Sequence, residues 1–307
     1  MKDNVYSRFC GCLGSDRVAA EEPMKSHTTF RIGGPAEYFL TPGNAEELRE
    51  LQKICEEENV PYYIIGNGSN LLVSDEGLRG AVIQIYHNMN QVVVEGDVIR
   101  VQAGMLLSTL AKVALEHGLG GLAFASGIPG TVGGAVVMNA GAYGGEMKDV
   151  IAEVTVMTRT GEILHIPKDQ LELSYRNSVV KKNNYIVMEV VLQLQSGDRA
   201  EIQAEMERLK EQRVSKQPLQ YPSAGSIFKR PKGHFAGKLI MDAGLRGYCV
   251  GGAQVAKKHC GFVINRDGAS AKDVMRLMED VKAKVKEQFG VELEPEVQFL
   301  GEFKNKE

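Results

Sequence analysis

Ser126 to Gly145, SGIPGTVGGAVVMNAGAYGG, has the composition of a ligand cradle. With Gly118, Gly120 and Gly121 just upstream, it holds ten of the chain's 34 glycines. Glycine loses more backbone freedom on folding than any other residue and brings no side chain to bury. Such a concentration points to bare N–H groups approaching phosphate or a flat ring; tight turns between strands are the other reading. A second loop, Gly66-Asn67-Gly68-Ser69-Asn70, follows a short apolar run. Its glycines permit positive φ, its Ser and Asn offer donors, and successive N–H groups there can form an anion nest. Alone it reads equally as a hairpin turn. Neither loop is a familiar phosphate motif. There is no GxxxxGK[ST], and GLGGLA at 118–123 follows a helix-like run rather than a strand.

Three further residues invite a chemical reading: Arg176 among polar neighbours, Ser226 between Gly225 and an apolar pair, and Glu296 just after Pro295. Taken singly, they read as a surface arginine, a turn serine and an exposed strand start. No Ser–His–Asp order and no paired-carboxylate pattern supports hydrolysis.

The elements that must position these residues follow from periodicity and caps. Asn44 with Glu47 three residues on predicts a capped helix to about residue 58, with Leu48, Leu51 and Cys55 on one face. Ser108 is expected to cap a helix ending at Gly118, and Asp198 with Glu201 to open a charged helix to Lys216. Ser270 with Asp273 starts the most clearly marked helix, with Val274, Leu277, Met278, Val281, Val285 and Phe289 as its stripe and Gly290 as its stop. Strands are expected at 28–32, 62–65, 81–85, 92–94, 98–102, 151–158, 163–166, 185–194 and 261–265, and from Val291 to Leu300 with a break at Pro295. This is an α+β pattern without regular βαβ alternation.

The chain of 307 residues can build a large core. A net charge of −3 argues against an electrostatic nucleic-acid binder. No apolar run reaches membrane-spanning length, and the N-terminus lacks the apolar core of a secretory signal. The five cysteines have no zinc spacing and read as reduced thiols of a cytoplasmic protein. No metal site is expected.

In combination the motifs say more. HTTFRIGG, GNGSNLLV, SGIPGTVGGAVVMNAGAYG, SYRNS, PSAGSIFKRP, AGKLIMDAGLRG, GGAQV and LEPEVQFLG occur in this order over about 270 residues. Together they resemble the UDP-N-acetylenolpyruvoylglucosamine reductases, flavoenzymes of peptidoglycan precursor synthesis. The resemblance implies a two-lobed FAD-binding domain of the vanillyl-alcohol-oxidase/PCMH type followed by a smaller α/β substrate domain. The corresponding division is a flexible tail at 1–20, an FAD domain at 21–197 with lobes about 21–86 and 87–197, and a substrate domain at 198–307. The C-terminal strand of that last domain is expected to return to the active site.

The resemblance also implies the chemistry. NADPH reduces FAD, and the reduced flavin reduces UDP-N-acetylglucosamine enolpyruvate to UDP-N-acetylmuramate. FAD is expected on Gly66, Asn67, Gly68, Ser69, Asn70, Ser126, Gly127, Pro129, Gly130, Gly133, Gly134, Asn139, Gly141 and Ala142. Arg176 matches the arginine that stabilises the enolate, Ser226 the proton donor to C2, and Glu296 the third active-site residue. Arg213 and Lys216 are expected at the UDP diphosphate and Tyr175 at the sugar end. Arg230 stands in FKRP where many members have FKNP, so a charged contact to the nucleotide is expected in place of an asparagine. About 50 residues separate Arg176 from Ser226, as in the short form of the family, which lacks an inserted tyrosine loop. A monomer is expected. A different substrate on the same cofactor fold is disfavoured by PSAGSIFKRP and EPEV, and a non-catalytic flavin binder by intact Arg176, Ser226 and Glu296.

Overall fold

The computed structural model of the chain describes residues 2–303. Met1 and residues 304–307, the ends of the expected tail and substrate domain, lie outside the described residues. The chain divides into two compact units. The first comprises 1–20, 38–67 and 81–213; the second comprises 21–37, 68–80 and 214–307. The expected boundary at residue 197 is therefore displaced. The helix Arg199–Lys216 runs on from the first unit, which keeps it as far as Arg213, and two segments from the N-terminal third belong with the C-terminal part.

The first unit has two lobes. One holds a four-stranded sheet in the order Val18–Pro23, Pro35–Leu40, Leu78–Gln84, Tyr62–Ile65, its last pair parallel. The other holds a five-stranded antiparallel sheet in the order Ile163–Pro167, Ile151–Met157, Ile186–Gln193, Val98–Gln102, Val92–Glu95. One continuous apolar cluster, including Leu51, Ile83, Ile99, Leu110, Val136, Val154 and Val190, underlies both lobes.

Residues 2–20 are not a flexible tail. Lys2–Leu13 form a helix, and Val5, Phe9 and Leu13, four residues apart, enter the core. Phe9 is fully buried and meets Tyr38 edge-on, with ring centroids 5.3 Å apart. Burying such a side chain contributes roughly 1.5–3 kcal/mol. Arg8 forks onto Glu57 and Glu58, and Arg17 onto both oxygens of Glu47 at 2.7 and 2.9 Å. Asn44 does cap its helix, accepting the Glu47 N–H at 2.9 Å. The Glu47 carboxylate, however, turns to Arg17 and the Gly43 N–H rather than closing a capping box.

The second unit is built on a four-stranded antiparallel sheet in the order Ser223–Ser226, Phe262–Asn265, Ala253–Val255, Cys249–Val250. The helix Ala271–Phe289 packs its stripe Val274, Leu277, Met278, Val281 and Val285 into the core. Ser270 and Asp273 form the expected capping box, and Gly290 closes the helix at φ 68°. Phe289, placed on the stripe by spacing, is partly exposed. The expected strand 28–32 is instead a turn closed by Arg31 N–H to Thr28 carbonyl, with the Thr28 hydroxyl on the Ile32 carbonyl and Arg31 at φ 55°. Among the described residues from Val291 onward, only Gln298–Leu300 is a strand, parallel to Leu71–Val73. Ser108 lies inside the helix Leu107–Glu116, whose N-cap is Leu106.

Candidate active site

In the first unit the two glycine-rich loops dock on each other. A Cβ at Gly66 would lie 2.2 Å from the Thr131 hydroxyl, and the Asn67 amide donates to the Pro129 carbonyl at 2.6 Å. Glycine at 66 is thus required by the approach of its partner loop. Thr131 is 2% exposed and its hydroxyl accepts the Gly134 N–H at the start of the short helix Val132–Val137. Sequence reading passed over Thr131. A Gly-Thr pair before VGGAVV is the N-cap signal that marks it. Gly133 is bare because Ala103 packs against it, where a Cβ would meet the Ala103 Cβ at 3.0 Å. Gly134, by contrast, is exposed.

The far end of the stretch serves a different purpose. Asn139 is 1% exposed, with φ 41°. Its amide donates to Glu146 at 2.7 Å and to the Ser174 carbonyl at 3.2 Å, and its oxygen accepts the Lys148 N–H at 2.9 Å. Its side chain therefore anchors the SYRNS loop, leaving only its backbone to face a cofactor. In that loop Ser174 and Asn177 exchange two backbone hydrogen bonds of 3.1 Å and leave Tyr175 and Arg176 at the tip. Ser178, fully buried, donates to the Val137 carbonyl at 2.9 Å and caps the next helical turn. Arg176 sits at φ 55°, a conformation costly for a residue with a Cβ and characteristic of functional sites. Its guanidinium lies 5.0 Å from the centroid of the half-exposed Tyr175 ring.

Arg213 also belongs to this unit. A Cβ at Gly127 would sit 3.0 Å from its Cδ and its Nη1, so the arginine lies along the Ser126-Gly127 turn. Burial lowers its pKa from the ordinary arginine value, and the Tyr143 phenol opposes that shift. Lys216, its expected partner at a diphosphate, is exposed and belongs to the second unit.

In the second unit the geometry of Ser226 comes from a β-bulge. Ser223 stands opposite Ile264 and Ser226 opposite Phe262, so the serine strand carries one extra residue. Gly225 absorbs it at φ 76°. Bulges of this kind re-aim the side chain that follows. Glu296 reaches the same place from 70 residues away. Its N–H donates to the Ile227 carbonyl at 2.9 Å, Pro295 bridges Phe228, and the Lys229 N–H donates to the Glu294 carbonyl at 2.9 Å. The Glu296 residue is 8% exposed. Ser226 and Glu296 thus occupy neighbouring backbone positions.

Gly68, Ser69 and Asn70 belong to this second unit. A Cβ at Gly68, φ 62°, would meet the His27 carbonyl at 2.1 Å. Among the described residues, no protein acceptor takes the N–H groups of Gly68, Ser69 or Asn70. Consecutive N–H groups beside an αL glycine make an anion nest, which fits the diphosphate of FAD. Arg230, expected at the nucleotide, is exposed and lies 4.6 Å from the centroid of Phe235, itself 60% exposed. No helix among the described residues is long and apolar enough to cross a membrane, and no group of His, Cys, Asp and Glu among them could hold a metal.

A family profile described as FAD binding domain matches residues 36–167. Another, the C-terminal domain of UDP-N-acetylenolpyruvoylglucosamine reductase, matches 217–300. The reductase of that name from Alkaliphilus metalliredigens is 50% identical over 301 residues, 98% of this chain and 99% of the relative. That from Agathobacter rectalis is 53% identical over 92% of this chain and 94% of the relative. The crystal structure of the Thermus caldophilus reductase superposes with a TM-score of 0.79 at 36% identity, over 92% of this chain and 98% of that one. A 4-ethylphenol oxidase from Gulosibacter chungangensis, 16% identical, shares the fold at a TM-score of 0.50 over 95% of this chain and 64% of that one. The fold is α+β, a two-lobed FAD-binding domain of the vanillyl-alcohol-oxidase/PCMH type with a smaller α/β domain. The chain belongs to the UDP-N-acetylenolpyruvoylglucosamine reductase family, FAD-dependent oxidoreductases of peptidoglycan precursor synthesis.

Proposed function

We propose that the chain uses NADPH to reduce UDP-N-acetylglucosamine enolpyruvate to UDP-N-acetylmuramate, with Arg176, Ser226 and Glu296 as its catalytic residues. Bound FAD supplies the hydride that the enolpyruvyl C3 receives. Charge then develops at C2 and spreads into the neighbouring carboxylate. A guanidinium held on a tight hairpin tip, as Arg176 is, suits that charge because it needs no reorganisation as the charge forms. Ser226 gives its hydroxyl proton to C2. An alcohol is a weak acid, but an enolate-like carbanion is a strong enough base to take its proton. Glu296 assists the enolate or hydrogen-bonds the substrate beside the serine. Lys216, Tyr175 and Arg230 take the UDP-sugar, with Lys216 at the diphosphate. The protein works as a cytoplasmic monomer.

The observation that carries this reading is the adjacency of Ser226 and Glu296. They are 70 residues apart in sequence, joined by the Glu296 N–H to Ile227 carbonyl bond of 2.9 Å. The deciding experiment separates the half-reactions under anaerobic conditions. Ser226→Ala is expected to keep its flavin and to be reduced by NADPH at near the wild-type rate. Its re-oxidation by the enolpyruvyl UDP-sugar is expected to fall ~10²–10⁴-fold. Re-oxidation at the wild-type rate would remove Ser226 from the mechanism. Loss of NADPH reduction would place it in the other half of the cycle.

A further inference from the structure

We infer that His259 is a positioning residue for Ser226, acting through the backbone of Gly261 and Phe262; this rests on the proposed role of Ser226 as proton donor. His259 grips the strand that faces the serine at three points. Its Nδ1 accepts the Gly261 N–H at 3.1 Å. Its carbonyl accepts the Phe262 N–H at 2.9 Å. Its ring meets the Phe262 ring edge-on, with centroids 5.0 Å apart. The residues so held are those that hold the serine. Phe262 stands opposite Ser226, and the Gly261 carbonyl accepts the Ile227 N–H at 2.9 Å.

One glycine makes room for the imidazole, and another for the strand that the imidazole holds. A Cβ at Gly261 would lie 2.9 Å from its Cε1 and 3.0 Å from its Nδ1. A Cβ at Gly237 would lie 3.0 Å from the Gly261 nitrogen and 3.4 Å from Cε1. The glycine of HCGF is therefore explained by the half-buried ring, and that of FAGK by the Gly261 backbone beside it.

A backbone N–H can only donate, so Nδ1 must carry a lone pair and the ring must be neutral with its proton on Nε2. Burial lowers the pKa from 6.5, against a weaker opposing pull from its own backbone. Gly237, Gly261 and Phe262, which pack on the ring, carry no charge. The charged neighbours on these elements are engaged elsewhere. Lys238 pairs with Asp242, Lys257 lies along Gly247, and Lys258 donates to the Val214 carbonyl. The adjacent Cys260 thiol is pushed up by burial. Protonation of His259 would set Nδ1–H against the Gly261 N–H, donor to donor, and release the turn.

The test uses the full-length holoenzyme with His259→Leu, which fills volume without an acceptor, and His259→Asn, whose Oδ1 can replace Nδ1. In His259→Leu, flavin content and reduction by NADPH are expected to stay near wild type. Exchange of the Ile227 amide with solvent is expected to rise, and re-oxidation by the UDP-sugar to fall, each about tenfold or more, the worth of one backbone hydrogen bond. His259→Asn is expected to restore both. Wild-type re-oxidation is expected to decline toward acid as His259 protonates below its ordinary pKa, and His259→Asn to lack that decline. Unchanged Ile227 exchange in His259→Leu would overturn the inference. So would normal re-oxidation in His259→Leu alongside a slow Ser226→Ala. Should Ser226→Ala itself re-oxidise normally, the proton-donor reading fails and the exchange result alone decides whether His259 holds the strand. If His259→Leu does not fold, His259→Ala, which removes the acceptor without adding bulk, is read the same way.

Discussion

The Asn70 side-chain amide donates to the carbonyl of Glu296 at 3.2 Å, and the Asn70 carbonyl accepts the Gln298 N–H at 2.9 Å. One asparagine of a glycine-rich loop therefore brackets the glutamate from both sides. The Gln298 amide adds a second donor to the same Glu296 carbonyl at 3.0 Å. The side chain of Asn70 is committed to Glu296, while its backbone N–H remains for the anion nest.

Asn70→Ala is expected to separate these two roles. The N–H groups that suit FAD remain, so flavin should be retained within a few-fold of wild type in a fluorescence titration. Glu296 loses one of its tethers, so re-oxidation by the UDP-sugar should slow by about tenfold. Loss of flavin with normal re-oxidation of the fraction that still binds it would instead make Asn70 a cofactor ligand.

Gly225→Ala tests the bulge. A Cβ there would meet nothing within 4 Å, so the substitution introduces no clash. The cost is purely conformational, because φ is 76°. It should be roughly 1–2 kcal/mol in a denaturant titration. Re-oxidation should drop further than stability, since the bulge aims Ser226, and Gly225→Asn, which tolerates αL better, should recover part of both.

The N-terminal helix can be tested by stability and by acid. Phe9→Ala is expected to cost about 3–5 kcal/mol, where a flexible tail would cost nothing. Glu47 is held below its ordinary pKa by the Arg17 fork and the Gly43 N–H, against the opposing effect of burial. A depressed folded pKa means stability that is present above 4.5, the ordinary value, and lost as pH falls through the folded value. Glu47→Gln should therefore flatten the acid limb of urea midpoints measured from neutral to acid pH. An unchanged limb would mean that other carboxylates set it.

Arg213 and Lys216 should part company in kinetics. Lys216→Ala should raise KM for the UDP-sugar by about 5- to 150-fold, equivalent to 1–3 kcal/mol, with little change in kcat. Arg213→Ala should act on the Gly127 turn, loosening FAD more than it raises that KM. Equal KM effects with normal flavin affinity would restore the pair that the family resemblance implies.

The elements legible in the sequence are those whose causes lie within a few residues. Ser270, Asp273 and Gly290 bound their helix because a cap bond spans three residues and an αL stop needs only one. The two glycine-rich loops and the order of motifs along the chain pointed to a flavoenzyme family for the same reason, since each motif is a local composition. The N-terminal helix had a signal too, Val5, Phe9 and Leu13 at four-residue spacing. It was masked by polar residues and Gly11, whose low helix propensity is outweighed by packing against the core. Other features have no local cause. Asn70 meets Glu296 across 226 residues. The extra residue at Gly225 exists only relative to the facing strand, and Asn139 turns to the SYRNS loop only once Ser174 is in reach. Residue types and their order along the chain decide which chemistry is available. Which side chain touches the cofactor, and which merely holds its neighbour in place, is decided by long-range pairings whose energies no short window of sequence contains.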